Sequence, residues 1–436
     1  MRISTQLFIP GKNWRLSLAE LVSFLEARRV KFEVYSLSKE FFAARIDQNK
    51  GFWTVADFGG FIKIGNVNAK LPTKNIKEAF FEENIEAKTQ ISRNVASSQL
   101  MDQIVEAASG KTMFGVSVYC TEKSLRPVTR SIQRFVGSTI KHELMKRGIK
   151  SRFMGFPKDR KVPQLSHVEV LKKKLVENKA EILFCINKKQ TFIATTTAVH
   201  NPFEFQKRDI DKPSQRKIFA IPPRLARIMV NLAACSEGKV FLDPFCGVGT
   251  ILQEAMLARA KVIGVDINRW CIKAAKRNIE WLKREYSLEN ANCRILQGDV
   301  NKLSHIIGID QVNCIATEPD LGPALRQVPT TSYAIRIVEK LEPLYYSLLE
   351  QAYKVLKKNG LLVLVSPLIK TRSGKTITIG VKEKSMELGF ERAFPFKRDL
   401  FAEDIKVPEK LMTMASFVDA KKRHKVDRKI HIFQKV

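Results

Sequence analysis

Three aspartates stand where apolar runs give way to loops, at positions 243, 266 and 299, and their surroundings define what they can hold. Asp243 lies in Phe241-Leu242-Asp243-Pro244-Phe245-Cys246-Gly247-Val248-Gly249-Thr250. There glycines 247 and 249 let the backbone pass close to a bound molecule, and a carboxylate at the strand tip can take an ammonium group. Asp266 closes Val262-Ile263-Gly264-Val265-Asp266, where an acid can accept both ribose hydroxyls of an adenosine. Asp299, in Gln297-Gly298-Asp299-Val300, is placed to accept from the adenine amino group. One such acid would be an ordinary cap or loop residue, whereas three on successive strand ends specify an adenosine with a cationic amino end. A dinucleotide is disfavoured, because the third glycine that would pack a helix beneath a pyrophosphate is replaced by Leu252.

The elements that must carry these acids follow from alternation. Strands are expected at 240–243, 262–266, 294–297, 314–317 and 360–366, with helices from 250, over 270–286 and over 334–356, which predicts a doubly wound parallel sheet. Ile430, Ile432 and Phe433 suggest its last strand, with the preceding basic loop near the substrate mouth. Upstream, Asn201-Pro202, Pro213 and Pro222-Pro223 mark 200–221 as an extended connector leading to a helix from Pro223. The N-terminal half reads as two small α/β units. The first has strands at 6–9, 32–36, 41–46 and an aromatic-rich run at 52–64, then a mainly helical 75–107. Its first helix is expected to open on a capping box, Ser17-Leu18-Ala19-Glu20, with Leu16 and Leu21 as the hydrophobic staple. The second has a strand at 115–119, a helix through Val128, Ile132, Val136, Ile140 and Leu144, and two strands joined by a turn at 187–190.

Charge points to a polyanionic partner. The 436 residues carry 75 Lys and Arg against 44 Asp and Glu, a net +31. Between 111 and 217 there are 24 basic and 9 acidic residues, so about half the excess sits in a quarter of the chain. Lys172-Lys173-Lys174 read as a solvated helix face. Arg147, Lys150, Arg152, Lys158, Arg160 and Lys161, with Phe153 and Phe156 interleaved, read as a phosphate-tracking surface, although rings there can equally be core. Seven cysteines with no C-x-x-C pair and no histidine at zinc-like spacing read as reduced, mostly buried thiols and no metal site. No signal-like leader and no membrane-length apolar run is present, which sets a cytoplasmic expectation. His200, His305, His424 and His431 have no partner at catalytic spacing and read as structural or solvent-facing.

The run at Asp243 resembles the cofactor loop of base-amino methyltransferases. Lys207-Arg208-Asp209, Pro213 and the stretch Ile221-Pro222-Pro223-Arg224-Leu225 through Ala233 are similar to the signature entering the catalytic domain of the tRNA guanosine-10 N2-methyltransferase family. Pro10-Gly11-Lys12-Asn13 with Leu16-Ser17-Leu18-Ala19-Glu20 is similar to that family's N-terminus, so the resemblance spans essentially the whole chain. It implies an α/β protein: a ferredoxin-like domain at 1–107, a THUMP RNA-binding domain at 108–205, a linker at 206–219 and a Rossmann-like methyltransferase domain at 220–436. It further implies S-adenosylmethionine (SAM) as cofactor, tRNA as partner, methylation of the exocyclic amine of guanine 10, and room for a small zinc-binding activator subunit. Carried onto this chain, the cofactor-binding residues are Asp243, Pro244, Phe245, Cys246, Gly247, Gly249, Thr250, Asp266 and Asp299, and the catalytic ones Glu318, Pro319 and Asp320.

The chain departs from the family where its fourth strand should end in Asp-Pro-Pro-Tyr and glycine, and reads Glu318-Pro319-Asp320-Leu321-Gly322. In the family motif the acid and a proline carbonyl hold the base's amino group with its lone pair toward the methyl carbon, while the ring stacks on the base. Glu318 lengthens the acid by a methylene, and Leu321 offers no stacking face. Asp320 could take over the grip on the amine and Tyr333 could supply a ring. Two function classes follow: an active tRNA methyltransferase, and a tRNA-binding protein that keeps SAM affinity with lost or altered catalysis. A DNA or protein amine methyltransferase would not need the basic N-terminal half.

Overall fold

The computed structural model describes residues 3–47, 53–108, 110–155, 162–216, 220–420 and 424–436, and its strands gather into two sheets. The first contains Ile3–Pro10 (β1), Phe32–Leu37 (β2), Phe42–Asp47 (β3), Phe61–Pro72 (β4), Thr112–Cys120 (β5), Ser151–Phe153 (β6), Glu181–Ile186 (β7) and Gln190–Val199 (β8), in the order β2-β3-β1-β4-β8-β7-β5-β6. Because β4 pairs antiparallel with β8, strands from before and after residue 107 share one sheet. Across it, Lys63 on β4 pairs with Glu181 on β7, both wholly buried. The hydroxyls of Ser117 and Thr196 each donate to that carboxylate at 2.8 Å, which offsets the desolvation of the charge pair.

The second sheet holds Val240–Asp243 (β9), Lys261–Asp266 (β10), Cys293–Gln297 (β11), Val312–Thr317 (β12), Leu356–Lys370 (β13), Thr376–Thr378 (β14), Phe390–Arg392 (β15), Ser416–Asp419 (β16) and Val426–Lys435 (β17). Its order is β11-β10-β9-β12-β13-β17-β15, with β14 against β13 and β16 against β17. β9 to β13 run parallel, and β17, the strand expected from Ile430 to Phe433, is antiparallel to β13. The chain winds outward from β9 to β11 on one side and from β12 to β13 on the other. The ends of β9 and β12 therefore flank the topological switch point, where sheets of this kind take ligands.

Two local expectations are corrected. The first helix starts earlier, at Trp14, with the Asn13 side chain accepting from Leu16 N–H, so Ser17 and Glu20 lie inside it rather than forming a capping box. Glu20 is wholly buried and instead accepts from the Gly59 and Gly60 N–H groups at 2.7 and 2.8 Å, a long-range use that overrides the local motif. The connector is not extended throughout: Pro202–Asp209 is helical, with Asn201 as cap and proline in the first turn, the usual N-terminal signal. In the aromatic run at 52–64, Thr54 and Asp57 form a capping box over a short turn before β4 begins; Phe52 lies outside the described residues.

The two sheets meet through helices Trp14–Ala27 and Pro223–Leu232, whose Leu18, Leu21, Ile228 and Met229 join one hydrophobic core. Polar contacts fix the register: Asn231 donates to Glu20 at 2.9 Å and Arg224 to the Gly59 carbonyl at 2.7 Å. A Cβ at Gly59 would lie 1.9 Å from the Arg224 carbonyl oxygen, so this approach is open only to glycine.

Candidate functional site

Asp243 ends β9 in the middle of the sheet and is 1% exposed. Its Oδ1 accepts from the Phe245 N–H at 3.1 Å and from the Thr317 hydroxyl at 2.7 Å, reaching across from the end of β12. Burial raises its pKa to about 7, against the pull of these two hydrogen bonds, with Asp266 and Glu318 adding repulsion. Asp266, at the end of β10, accepts from the Gly247 N–H at 2.9 Å and the Asn268 N–H at 2.8 Å, so the second acid braces the glycine turn of the first. Gly247 has φ 51° and nothing within 4 Å of where a Cβ would stand, which leaves its backbone open to a ligand. Asp299 is half-buried and caps the following turn through Asn301 N–H at 2.9 Å.

A cavity lies beside Asp243 and the Gly247 turn. It is lined by Asp243, Phe245, Cys246, Gly247 and Thr250 on the β9 side, by Glu318 on the β12 side, and by Arg216 and Ile221 from the connector. Pro244, Gly249, Asp266, Asp299, Pro319 and Asp320 do not line it, although Asp266 holds the lining Gly247 through its N–H. Cys246 is buried, and burial holds its thiol well above the usual range, which leaves it no nucleophilic role.

On the β12 side, both oxygens of Glu318 are gripped by Arg428 of β17, Nε donating at 2.5 Å and Nη2 at 3.1 Å, with both side chains under a tenth exposed. Tyr345 donates to the Asp320 carbonyl at 3.0 Å, so the segment is pinned at the side chain of one acid and the backbone of the next. The Asp320 side chain is exposed and accepts from the Gly322 N–H at 3.0 Å; Leu321 is buried and turned into the core. Tyr333 is 41% exposed on the first turn of the next helix.

Sequence reasoning missed four contributors. Lys212 donates to Thr250 at 2.8 Å and is 3% exposed, Asn278 donates to the Ser214 and Val248 carbonyls at 2.8 Å, Thr317 holds Asp243, and Arg428 holds Glu318. Lys212 had a signal, since it precedes the Pro213 of the connector signature; Arg428 had a faint one, its basic neighbourhood, though it lies in β17 and not in a loop.

The expected phosphate-tracking surface is divided. Lys150 and Arg152 are exposed, Arg147 is tied to Asp102 and Glu143, and Phe153 packs on Phe114 as core. Phe156, Lys158, Arg160 and Lys161 lie outside the described residues. The lysines 172–174 are solvated, the seven cysteines are all free, and His200 and His431 are buried. Among the described residues no group of acids, histidines and cysteines could hold a metal, and no helix is long and apolar enough to cross a membrane.

Residues 213–373 match the family described as RMKL-like, methyltransferase domain. The chain is 34% identical over 182 residues to the tRNA (guanine(10)-N2)-dimethyltransferase of Methanocaldococcus jannaschii, covering 40% of this chain and 46% of that protein. It is 30% identical over 146 residues to the probable tRNA (guanine(10)-N2)-dimethyltransferase of Methanothermococcus thermolithotrophicus, covering 33% of this chain and 79% of that one. The chain belongs to the tRNA (guanine(10)-N2)-dimethyltransferase family. Its fold is that of the crystal structure of TrmN from Thermus thermophilus, with a TM-score of 0.50 and 14% identity over the whole of both chains. The match spans less than half the length of the Methanocaldococcus relative. Within this family member the matched domain stretch contains the β9 and β12 sides of the cavity but ends before β17, the strand that brings Arg428.

Proposed function

We propose that the chain is a SAM-dependent tRNA methyltransferase acting on the N2 amine of a guanine, at position 10 of the tRNA. The observation that carries this is the cavity at the switch point, where buried Asp243 and the open Gly247 turn face Glu318 across the ends of β9 and β12. The residues fit the cofactor: Asp243 would take its ammonium group, the Gly247 turn its methionine portion, Asp266 its ribose and Asp299 its adenine. SAM supplies a methyl group on a sulfonium, already activated for transfer to an amine. The work left to the protein is positioning. Glu318, fixed by Arg428, would accept from the amine's hydrogens, with the Pro319 carbonyl as a second acceptor and Asp320 sharing the grip on the amine.

In this reading the N-terminal parts bind the tRNA: 1–107 as a ferredoxin-like domain and 108–205 as a THUMP domain, joined by 206–219 to the methyltransferase domain 220–436, in a cytoplasmic protein. A second reading is favoured by one observation: both Glu318 oxygens are already occupied by Arg428, and Leu321 turns inward, so no ring of the motif itself faces a base. It makes the chain a tRNA-binding protein that retains SAM without transferring its methyl. The deciding experiment incubates the chain, alone and with a small zinc-binding activator subunit, with labelled SAM and unmodified tRNA transcripts, then digests the RNA to locate the label. Label on guanine 10 is the expected outcome. Bound SAM and tRNA with no label under either condition would establish the second reading.

A further inference from the structure

Around the acceptor side of the cavity two segments converge that contain no acidic residue. Residues 321–338 carry Arg326 and Arg336, and residues 367–382 carry Lys370, Arg372, Lys375 and Lys382, of which Lys370 is paired with Asp427 and Lys382 with Glu383. The first leads out of the Glu318-Pro319-Asp320 segment into the helix Thr331–Val355, and the second runs from the end of β13 through the turn and β14 to the start of the helix Val381–Glu387. Both therefore lie at the C-terminal ends of parallel strands, the edge of the sheet that holds the cavity. They are stapled together: Arg372 N–H donates to the Pro329 carbonyl at 2.9 Å, its Nε to the Val328 carbonyl at 3.0 Å and its Nη2 to Gln327 at 3.2 Å, while the Thr331 and Ser373 hydroxyls meet at 3.0 Å.

A basic run alone is usually a solvated face. Here an aromatic ring distinguishes it. Tyr333 is 41% exposed, and the Arg336 guanidinium stands 5.6 Å from its ring centroid, so a ring and a cation form one platform facing solvent. Exposed rings interleaved with unpaired cations are what a single-stranded nucleic acid uses, the ring for a base and the cations for the backbone.

We propose that this rim seats the RNA strand at the mouth of the acceptor site, with Tyr333 stacking on a base and Arg336 and Lys375 following the phosphates. The inference rests on RNA being the substrate, and it supplies the stacking face that Leu321 withholds. Arg372 acts on the architecture, holding the two segments in register so that ring and cations face the same strand. A duplex offers no unstacked base to Tyr333, so the strand recognised is locally unpaired, as a nucleotide displaced for methylation must be.

The test measures tRNA affinity in the presence of S-adenosylhomocysteine, which reads the rim without needing turnover. Tyr333→Ala is expected to weaken tRNA binding about tenfold and Tyr333→Phe hardly at all. Lys375→Ala and Arg336→Ala should each lower the slope of log affinity against log salt by about one, with cofactor affinity unchanged in every variant. Unaltered tRNA affinity and salt slope in all three alanine variants would overturn the proposal while leaving the methyltransferase reading intact. Weakened binding in a protein that transfers no methyl would support the rim and overturn the enzyme. A wild-type chain that binds no tRNA would overturn both.

Discussion

The two sides of the cavity are built by different means. The β9 and β10 side is local: Asp243, the Gly247 turn and Asp266 lie within a short stretch, and the braces between them are mostly backbone N–H groups donating to carboxylates. The β12 side is assembled from afar, with Arg428 of β17 reaching Glu318 across the β13 end, and Tyr345 of the intervening helix holding the Asp320 carbonyl. The difference teaches where variation is tolerated. A backbone-braced loop constrains only its own glycines and acids, whereas a side chain held by a distant strand can change whenever its partner changes with it.

That contrast gives its largest effect at Arg428. Arg428→Met leaves the buried Glu318 carboxylate unpaired, and loss of one partner of a buried ion pair costs about 3–5 kcal/mol. Glu318→Gln in the same chain removes the orphaned charge and should recover most of that loss in urea unfolding. Additive losses in the double variant would mean that the pair is not the unit joining β12 to β17. SAM affinity should move little in either, because the other side of the cavity is braced without them.

Next in size is Asp243→Asn, which removes the charge proposed to meet the ammonium of SAM. A charge-assisted hydrogen bond of about 1.5–3 kcal/mol corresponds to roughly 10- to 150-fold in affinity, readable by calorimetry. The same change should stabilise the unliganded fold. The folded pKa of about 7 lies above the ordinary 3.8, so between these values the folded state keeps a proton that the unfolded chain releases. Wild-type stability therefore falls as pH rises through that window, and the variant escapes the fall. If Asp243→Asn binds SAM as the wild type does, this acid has no part in holding the cofactor.

The sequence made one side of this comparison far more legible than the other. Strand alternation fixes β9 to β13, and the spacing of Asp243, Gly247 and Asp266 is a short-range signal that survives in a single chain. Glu318 was visible as an acid after a strand, but nothing local says that its oxygens are taken, since Arg428 is over a hundred residues away and enters only through the pairing of β17 with β13. The buried Glu20 shows the same limit from the opposite direction: a perfect local capping box is overruled because two glycine N–H groups, 39 and 40 residues on, need an acceptor. The connector failed for a simpler reason, since Asn201-Pro202 is equally a loop signal and a helix start.

The smallest effect, and the one that separates the two sides most cleanly, lies at Thr317, the one side chain of β12 that serves the β9 acid. Thr317→Val keeps the shape of a wholly buried residue and deletes the hydroxyl that donates to Asp243 at 2.7 Å. With only the Phe245 N–H left on that oxygen, the carboxylate is less well held in its charged form, and its pKa moves up from about 7. SAM affinity should then fall about fivefold near neutral pH, a net hydrogen bond of about 1 kcal/mol, and return toward the wild-type value as the pH is raised to about 9. The loss in Asp243→Asn, by contrast, should persist as the pH is raised, because no carboxylate is left to ionise. Equal, pH-independent losses in the two variants would mean that Thr317 shapes the cavity wall and does not tune the acid, and the β12 side would then reach the cofactor only through Glu318.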